Sequence, residues 1–290
     1  MQRFEAELVF GPTATFGEGP LWDNRDRVLW WTDIPGCTVH RYDPRTHQDR
    51  PIPVEMNVGS IVLRASGGVV VAARDGFAAL ASDGTLDMIA PLNADDPAIR
   101  MNDGKCDAAG RFYASTMAFN AEDPVGELLR LDSDHSVHVQ ERDLIIGNGM
   151  DWSADHRIMY FTDTLDMGID AFDVDTATGD LSGRRRLFDI DKAHGLPDGF
   201  CIDNEGALWV AMWKGSSVRR YSPDGELLAI VDVPATNVTC PSFGGDNLDE
   251  LFITTAQPQL SGVEKVEPLA GAIFRIKPGV GGPPPTPFAG

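Results

Sequence analysis

The sequence predicts an all-β fold, a six-bladed β-propeller whose four-stranded antiparallel blades surround a central channel. Three observations carry this expectation. Helix patterns are scarce, while short apolar runs bounded by Gly, Asp and Asn recur along the chain. The runs come as a strand, a short connection, a second strand and a polar turn, with a period of roughly 40–50 residues, the range of repeat architectures such as propellers. About six such blades fill the 290 residues without remainder.

In chain order the units are RVLWWTDIPGCTVHRYDP from Arg27, GGVVVAARDGFAALASDG from Gly67, and GRFYASTM followed by GELLRLDSD from Gly110. Then come RIMYFTDTLDMGIDAFDVD from Arg157, GALWVAMWKGSSVRRYSPDG from Gly206, and ELFITTA followed by GAIFRIKPG from Glu250. The segment AELVF, Ala6 to Phe10, precedes the first unit and is expected to supply the outer strand of the last blade. That closure hides an otherwise exposed edge. No polar caps of a solenoid and no linker are visible, so residues 1–290 read as one domain. PGVGGPPPTPF is too rich in Pro and Gly to pack as a strand, and residues 278–290 are expected to be a loose tail.

Composition narrows the partners. A formal net charge of −20 argues against polyanions such as nucleic acid or an anionic membrane face. No apolar run approaches the ~20 residues of a membrane span. MQRFEAELVF carries no signal-peptide pattern, which makes the cytoplasm the expected compartment. Cys37, Cys106, Cys201 and Cys240 are widely spaced without a C-x-x-C pair and are expected to be buried free thiols. Oligomeric state is expected to be a monomer or a weak homo-oligomer. There is no G-x-S-x-G elbow, H-E-x-x-H, P-loop or G-x-G-x-x-G, so serine-hydrolase, zincin, nucleotide and dinucleotide readings have no support.

The stretch GLPDGFCIDNEGALWVA, Gly195 to Ala211, places Asp198 at the mouth of an apolar strand. Pro-Asp-Gly by itself is a turn signal. Yet Asp198 lies five positions before the turn residue Asp203, and Glu18 stands in the same relation to Asp23, Asn102 to Asp107 and Asn148 to Ser153. Ser60 and Ser242 fall near the corresponding places in the remaining units. In a closed ring, equivalent positions share radius and height, so Glu18, Asn102, Asn148 and Asp198 are expected to point at one axis. Glycine follows Glu18, Asn148 and Asp198, which suits close backbone approach near a ligand. Converging carboxylates repel and need a cation or a shared proton. Carboxylate and amide oxygens alone suit Ca²⁺, Mg²⁺ or Mn²⁺, with Zn²⁺ and Fe²⁺ also able to bind. At this stage a ring of polar residues that only binds water or caps turns is equally open.

The same residues carry a family likeness. GEGPLW around Glu18, RMNDGKCDAAGRF around Asn102, GNGMDWSAD around Asn148, LPDGFCIDNEGALWVA around Asp198 and the later CPSFGGDNLDELFITTA resemble the regucalcin/gluconolactonase family, most of all its bacterial sugar lactonases. The resemblance covers nearly the whole chain. It implies one divalent cation held by Glu18, Asn148 and Asp198, and substrate contacts from Arg100 and Asn102 with Asp103 beside them. It also implies hydrolysis of a small-molecule sugar lactone, with Asp198 as catalytic base as well as ligand. One departure stands out. Regucalcin-like members carry a Glu three residues after the Met that here is Met117, a position held by Asn120, with Glu122 two further on. Two other functions remain open: a calcium-binding regulatory protein with little catalysis, and a metal-dependent esterase or phosphotriesterase of the same architecture. His194 and Trp213 are further candidates for the rim of the site, each with a plain structural alternative.

Overall fold

The computed structural model describes residues 1–92 and 96–290. Within them six sheets form, with strands side by side in chain order from the channel outward, except that N-terminal strands take the outermost places in two of them. The innermost strands, blades 1 to 6, are Gly17–Asp23, Val58–Leu63, Ile99–Cys106, Gly147–Trp152, Leu196–Ile202 and Asn237–Gly244. Each packs against the inner strand of the next blade, and blade 6 returns to blade 1. The propeller expected from the repeat is what forms.

Closure follows the expected route. Strand Glu7–Phe10 pairs antiparallel with Ile273–Ile276 and becomes the outer strand of blade 6. The preceding Gln2–Glu5 was not foreseen as an element. It adds a parallel fifth strand to blade 5 along Leu227–Asp232, with Arg3 bridging Asp232. The N-terminal segment therefore ties two blades together before the chain enters blade 1.

Between blades, alternate strand residues interdigitate. Val70, Ala72 and Phe77 of blade 2 pack on Phe112, Ala114 and Leu129 of blade 3. Trp209 and Val218 of blade 5 pack on Phe243, Ile253 and Phe274 of blade 6. Trp22 stacks on Phe252 with ring centroids 5.7 Å apart, joining blade 1 to blade 6. Each buried large side chain contributes about 1.5–3 kcal/mol, so the rigidity of the ring resides in these seams.

The tail corrects one expectation. Residues 278–290 are not loose: Phe288 is 0% exposed and sits in the seam of blades 2 and 3 with Phe77 and Phe112. The Asn204 N–H donates to the Gly281 carbonyl, the Phe288 N–H to Leu63 and the Ala289 N–H to Gly110. The segment thus crosses the lower end of the channel from blade 6 to blades 2 and 3. Proline removes ladder donors, which rules out a strand. It does not prevent an extended segment from being pinned by one aromatic anchor and a few bonds at its ends.

All four cysteines are free, with Cys37 only half-buried. Among the described residues no helix is long and apolar enough to cross a membrane.

Candidate active site

Every inner strand enters the channel at what is here termed the upper rim, and every one breaks register with its neighbour near the same level. The interruptions fall between Glu18 and Leu21, Val58 and Ser60, Met101 and Gly104, Asn148 and Met150, Pro197 and Phe200, and Val238 and Pro241. A bulge kinks the strand and re-aims a side chain. In blades 1, 3, 4 and 5 the residue five before the lower turn, Glu18, Asn102, Asn148 or Asp198, lies at or within this break. The sequence count found the position but not this device.

Four of the six positions carry the polar residues expected, while blades 2 and 6 correct the weaker alignment. Counting back from their turns, at Arg64 and Gly244, gives Gly59 and Thr239 rather than Ser60 and Ser242. Thr239 spends its hydroxyl on the Gly17 carbonyl at 2.7 Å. Two of the glycines also have a different reason from the one expected. A Cβ at Gly149 would stand 2.2 Å from the Phe200 ring, and one at Gly199 would stand 2.5 Å from Cys240 Sγ. Gly149 and Gly199 let adjacent inner strands meet, whereas Gly19 has a φ of +56° and a Cβ there would stand 3.4 Å from its nearest neighbour.

Glu18, Asn148 and Asp198 are each 5% exposed. Asn148 Nδ2 donates to Asp198 Oδ1 at 2.5 Å and to Thr164 Oγ1 at 3.1 Å. Glu18 Oε2 accepts the Gly19 N–H at 2.8 Å. Asn148 Oδ1 is buried with no hydrogen-bond partner. Burial first, then the Asp198 and Asp103 charges, hold the Glu18 carboxyl well above its ordinary range. Burial and the Asp103 charge do the same to Asp198. An orphaned amide oxygen beside two carboxylates that resist ionising together is a cation-shaped deficit. The donors are hard oxygens, and no group of three or more His, Cys, Asp or Glu that could hold a metal forms among the described residues. Glu18, Asn148 and Asp198 therefore fit one oxygen-preferring divalent cation with positions left open.

Blade 3 brings the expected substrate-binding residues beside them. Arg100 Nη1 donates to Asn102 Oδ1 at 2.8 Å and to the Met101 carbonyl at 2.9 Å, and Asn102 Nδ2 donates to the Gly147 carbonyl at 2.9 Å. Burial lowers the Arg100 guanidinium to about 10, against the pull of Glu18 and Asp198. Asp103 is placed differently. Its carboxylate accepts the Gly104 N–H and lines a cavity of about 330 Å³ below the ring, with Lys105, Asp151 and the tail residues Pro283–Pro285. Burial raises Asp103 to about 6. It acts on the ring as a floor charge rather than as a group at the mouth.

The rim candidates divide. Asn120 is exposed and spends its side-chain oxygen on the Glu122 and Asp123 N–H groups, capping its own turn; Glu122 is exposed as well. His194 ends a short 3-10 turn, Lys192–His194, and is half-buried. Trp213 lies against Phe16 with ring centroids 5.3 Å apart. Thr164, which supports Asn148, was not anticipated, and no sequence signal marks it.

The family model for the SMP-30/Gluconolactonase/LRE-like region matches residues 16–257, which carry every residue of the ring. The chain belongs to this SMP-30/gluconolactonase family. Among its relatives, regucalcin of Xenopus laevis is 39% identical over 300 residues, covering the whole of both chains. A solved luciferin-regenerating enzyme aligns with a TM-score of 0.89 at 33% identity, over 95% of this chain and 96% of that one. A calcium-binding protein, regucalcin, from Agrobacterium tumefaciens aligns with a TM-score of 0.92 at 26% identity, over 99% of each chain. At family level, SMP-30/gluconolactonase membership supports lactonase-type hydrolysis and calcium binding.

Proposed function

We propose that this chain hydrolyses a sugar-derived lactone to the sugar acid with one divalent cation, calcium, manganese or magnesium before zinc or iron, held by Glu18, Asn148 and Asp198. The observation that carries the reading is the unpartnered Asn148 Oδ1, on a side chain bonded to the buried Asp198, whose charge acts on the buried Glu18 and on Arg100. The family adds its weight, since gluconolactonase stands in its name and calcium binding in the printed description of one relative.

Opening a cyclic ester needs an activated water and charge stabilisation at the carbonyl oxygen. Bound in the ring, the cation supplies Lewis acidity and acidifies water. Asp198, whose Oδ1 is held by the Asn148 N–H, takes the proton from the attacking water. Arg100 and Asn102 hold the ring hydroxyls and the developing charge, their mutual hydrogen bond keeping both forks in one orientation. Burial keeps bulk water from competing.

The test is a lactone panel on chelator-stripped protein with one ion restored at a time. Restored ion should restore aldonolactone hydrolysis, and Asp198→Ala should lose it by about a thousandfold or more while folding normally. Calcium binding without turnover of any lactone would instead support the regulatory-protein reading. Faster turnover of aryl esters or phosphotriesters would support the esterase one.

A further inference from the structure

Above the polar ring stands an aromatic pair that the steps above leave unused. Phe16 lies two residues ahead of Glu18 at the head of blade 1. Trp213 ends the second strand of blade 5, Leu208–Trp213, and pairs with Leu196, two residues ahead of Asp198. Blades 1 and 5 do not adjoin; blade 6 lies between them. The two rings therefore meet over the start of blade 6, centroids 5.3 Å apart and planes tilted by 34°. At about 3.3 Å of rise per residue, they stand roughly 7 Å above the carboxylates of the ring.

The pair is built rather than frayed. The Phe16 N–H donates to Asp33 Oδ1 at 2.9 Å, its carbonyl accepts the Ile34 N–H at 3.1 Å, and its backbone bridges Ala256. Trp213 is fixed by the strand that carries it. Yet both residues are only half-buried, so part of each stays open at the mouth. A blade's opposite number in a ring of six is three places on, and blade 6 faces blade 3. Blade 3, which carries Arg100 and Asn102, thus stands across the channel from the blade over which Phe16 and Trp213 meet. One wall offers hydrogen bonds and the other offers aromatic surface.

A cyclic sugar lactone has matching faces: hydroxyls at its edge and a patch of C–H groups on its ring face. We propose that Phe16 and Trp213 form the platform on which the C–H face of the substrate ring rests, while Arg100 and Asn102 read its hydroxyls. This rests on the lactonase reading and deepens it, because it makes recognition depend on the ring itself. The platform buries apolar surface equally in ground and transition state. It therefore acts on KM rather than on kcat.

The experiment uses the calcium-loaded protein and its variants Trp213→Ala, Trp213→Phe and Phe16→Ala, each checked by thermal melting. Two probes are used: D-glucono-δ-lactone for kinetics, and 1,5-anhydro-D-glucitol, a ring without a carbonyl, for binding by calorimetry. Trp213→Ala and Phe16→Ala should each raise KM and weaken anhydroglucitol binding about tenfold, with kcat within about twofold of wild type. Trp213→Phe should keep most of the affinity while removing the ligand-induced change in tryptophan emission. Unchanged KM and binding in both alanine variants would overturn the platform. If wild type hydrolyses no lactone, the lactonase reading fails and the anhydroglucitol arm alone decides. Binding weakened by the alanine variants then keeps a sugar-ring platform, and absent or unaltered binding removes it.

Discussion

The inner strands of blades 1, 3 and 5 each carry two buried polar side chains five residues apart, and the two levels have opposite chemistry. At the lower level Asp107 accepts the Ala109 and Arg111 N–H groups and the Arg111 guanidinium. Asp203 accepts the Glu205 and Ala207 N–H groups, Trp209 Nε1 and Arg220, and is 2% exposed. Asp23 binds the Arg25 N–H and side chain in the same manner. At the upper level Glu18 and Asp198 are buried as deeply, yet face each other's charge with one amide and two neighbouring N–H groups between them. Burial is therefore not what marks the site. The partners separate the two levels: the lower carboxylates each accept several N–H groups and a guanidinium and hold a turn, whereas the upper ones accept few donors and repel each other.

The contrast can be broken most sharply at blade 5. Asp203→Ala strands an indole N–H and two backbone N–H groups and leaves the half-buried Arg220 only Glu205, and should cost about 3–5 kcal/mol. A denaturant titration should show this, whereas Asp198→Ala in chelator should melt at or above the wild-type temperature. Equal losses at the two positions would erase the distinction between levels.

A smaller effect sharpens it at blade 1. Glu18→Gln removes one of two repelling charges, so in chelator it should stabilise the protein by about 1–2 kcal/mol. In millimolar calcium the order should reverse, because wild type alone keeps the full ligand set and gains stability by mass action. Melting curves with and without calcium would show the crossing; a variant less stable in both conditions would argue against charge repulsion in the ring.

The smallest expected effect is the pH dependence. Glu18 and Asp198 are raised above their ordinary values of 4.5 and 3.8 in the folded, cation-free protein. The folded state therefore holds protons that the unfolded chain has released. Their contribution to cation-free stability is full below those ordinary values and is lost as pH rises through the raised ones. A cation must displace the same protons, so its affinity should rise with pH. Calorimetry should find binding about tenfold tighter at pH 8 than at pH 5.5, about 1.4 kcal/mol, with protons released at the lower pH. Affinity independent of pH would mean that the carboxylates ionise freely without a cation.

Much of this was legible before any coordinates. The 40–50-residue repeat exposed the blades because each must present the same alternating faces to its neighbours. Counting from the turns isolated Glu18, Asn102, Asn148 and Asp198, since equal spacing becomes equal height in a ring. The count slipped where the turn carries neither Asp nor Ser: Arg64 and Gly244 disguised Gly59 and Thr239. The tail was misjudged because composition reports strand propensity, not an anchor such as Phe288 finding a seam far along the chain. Asp103, which the family likeness set beside Arg100 and Asn102, falls within the register break between Met101 and Gly104 and lines the lower cavity.

Sequence alone determined the number of blades, the closing strand and the height of the polar ring, because these follow from periodicity and local turn chemistry. Only the tertiary structure decided which buried carboxylates are satisfied, which glycines are forced by neighbouring strands, and which aromatics overlook the mouth. Those properties depend on residues from different blades meeting in space. No one-dimensional spacing records whether a side chain, once buried, has found its partners.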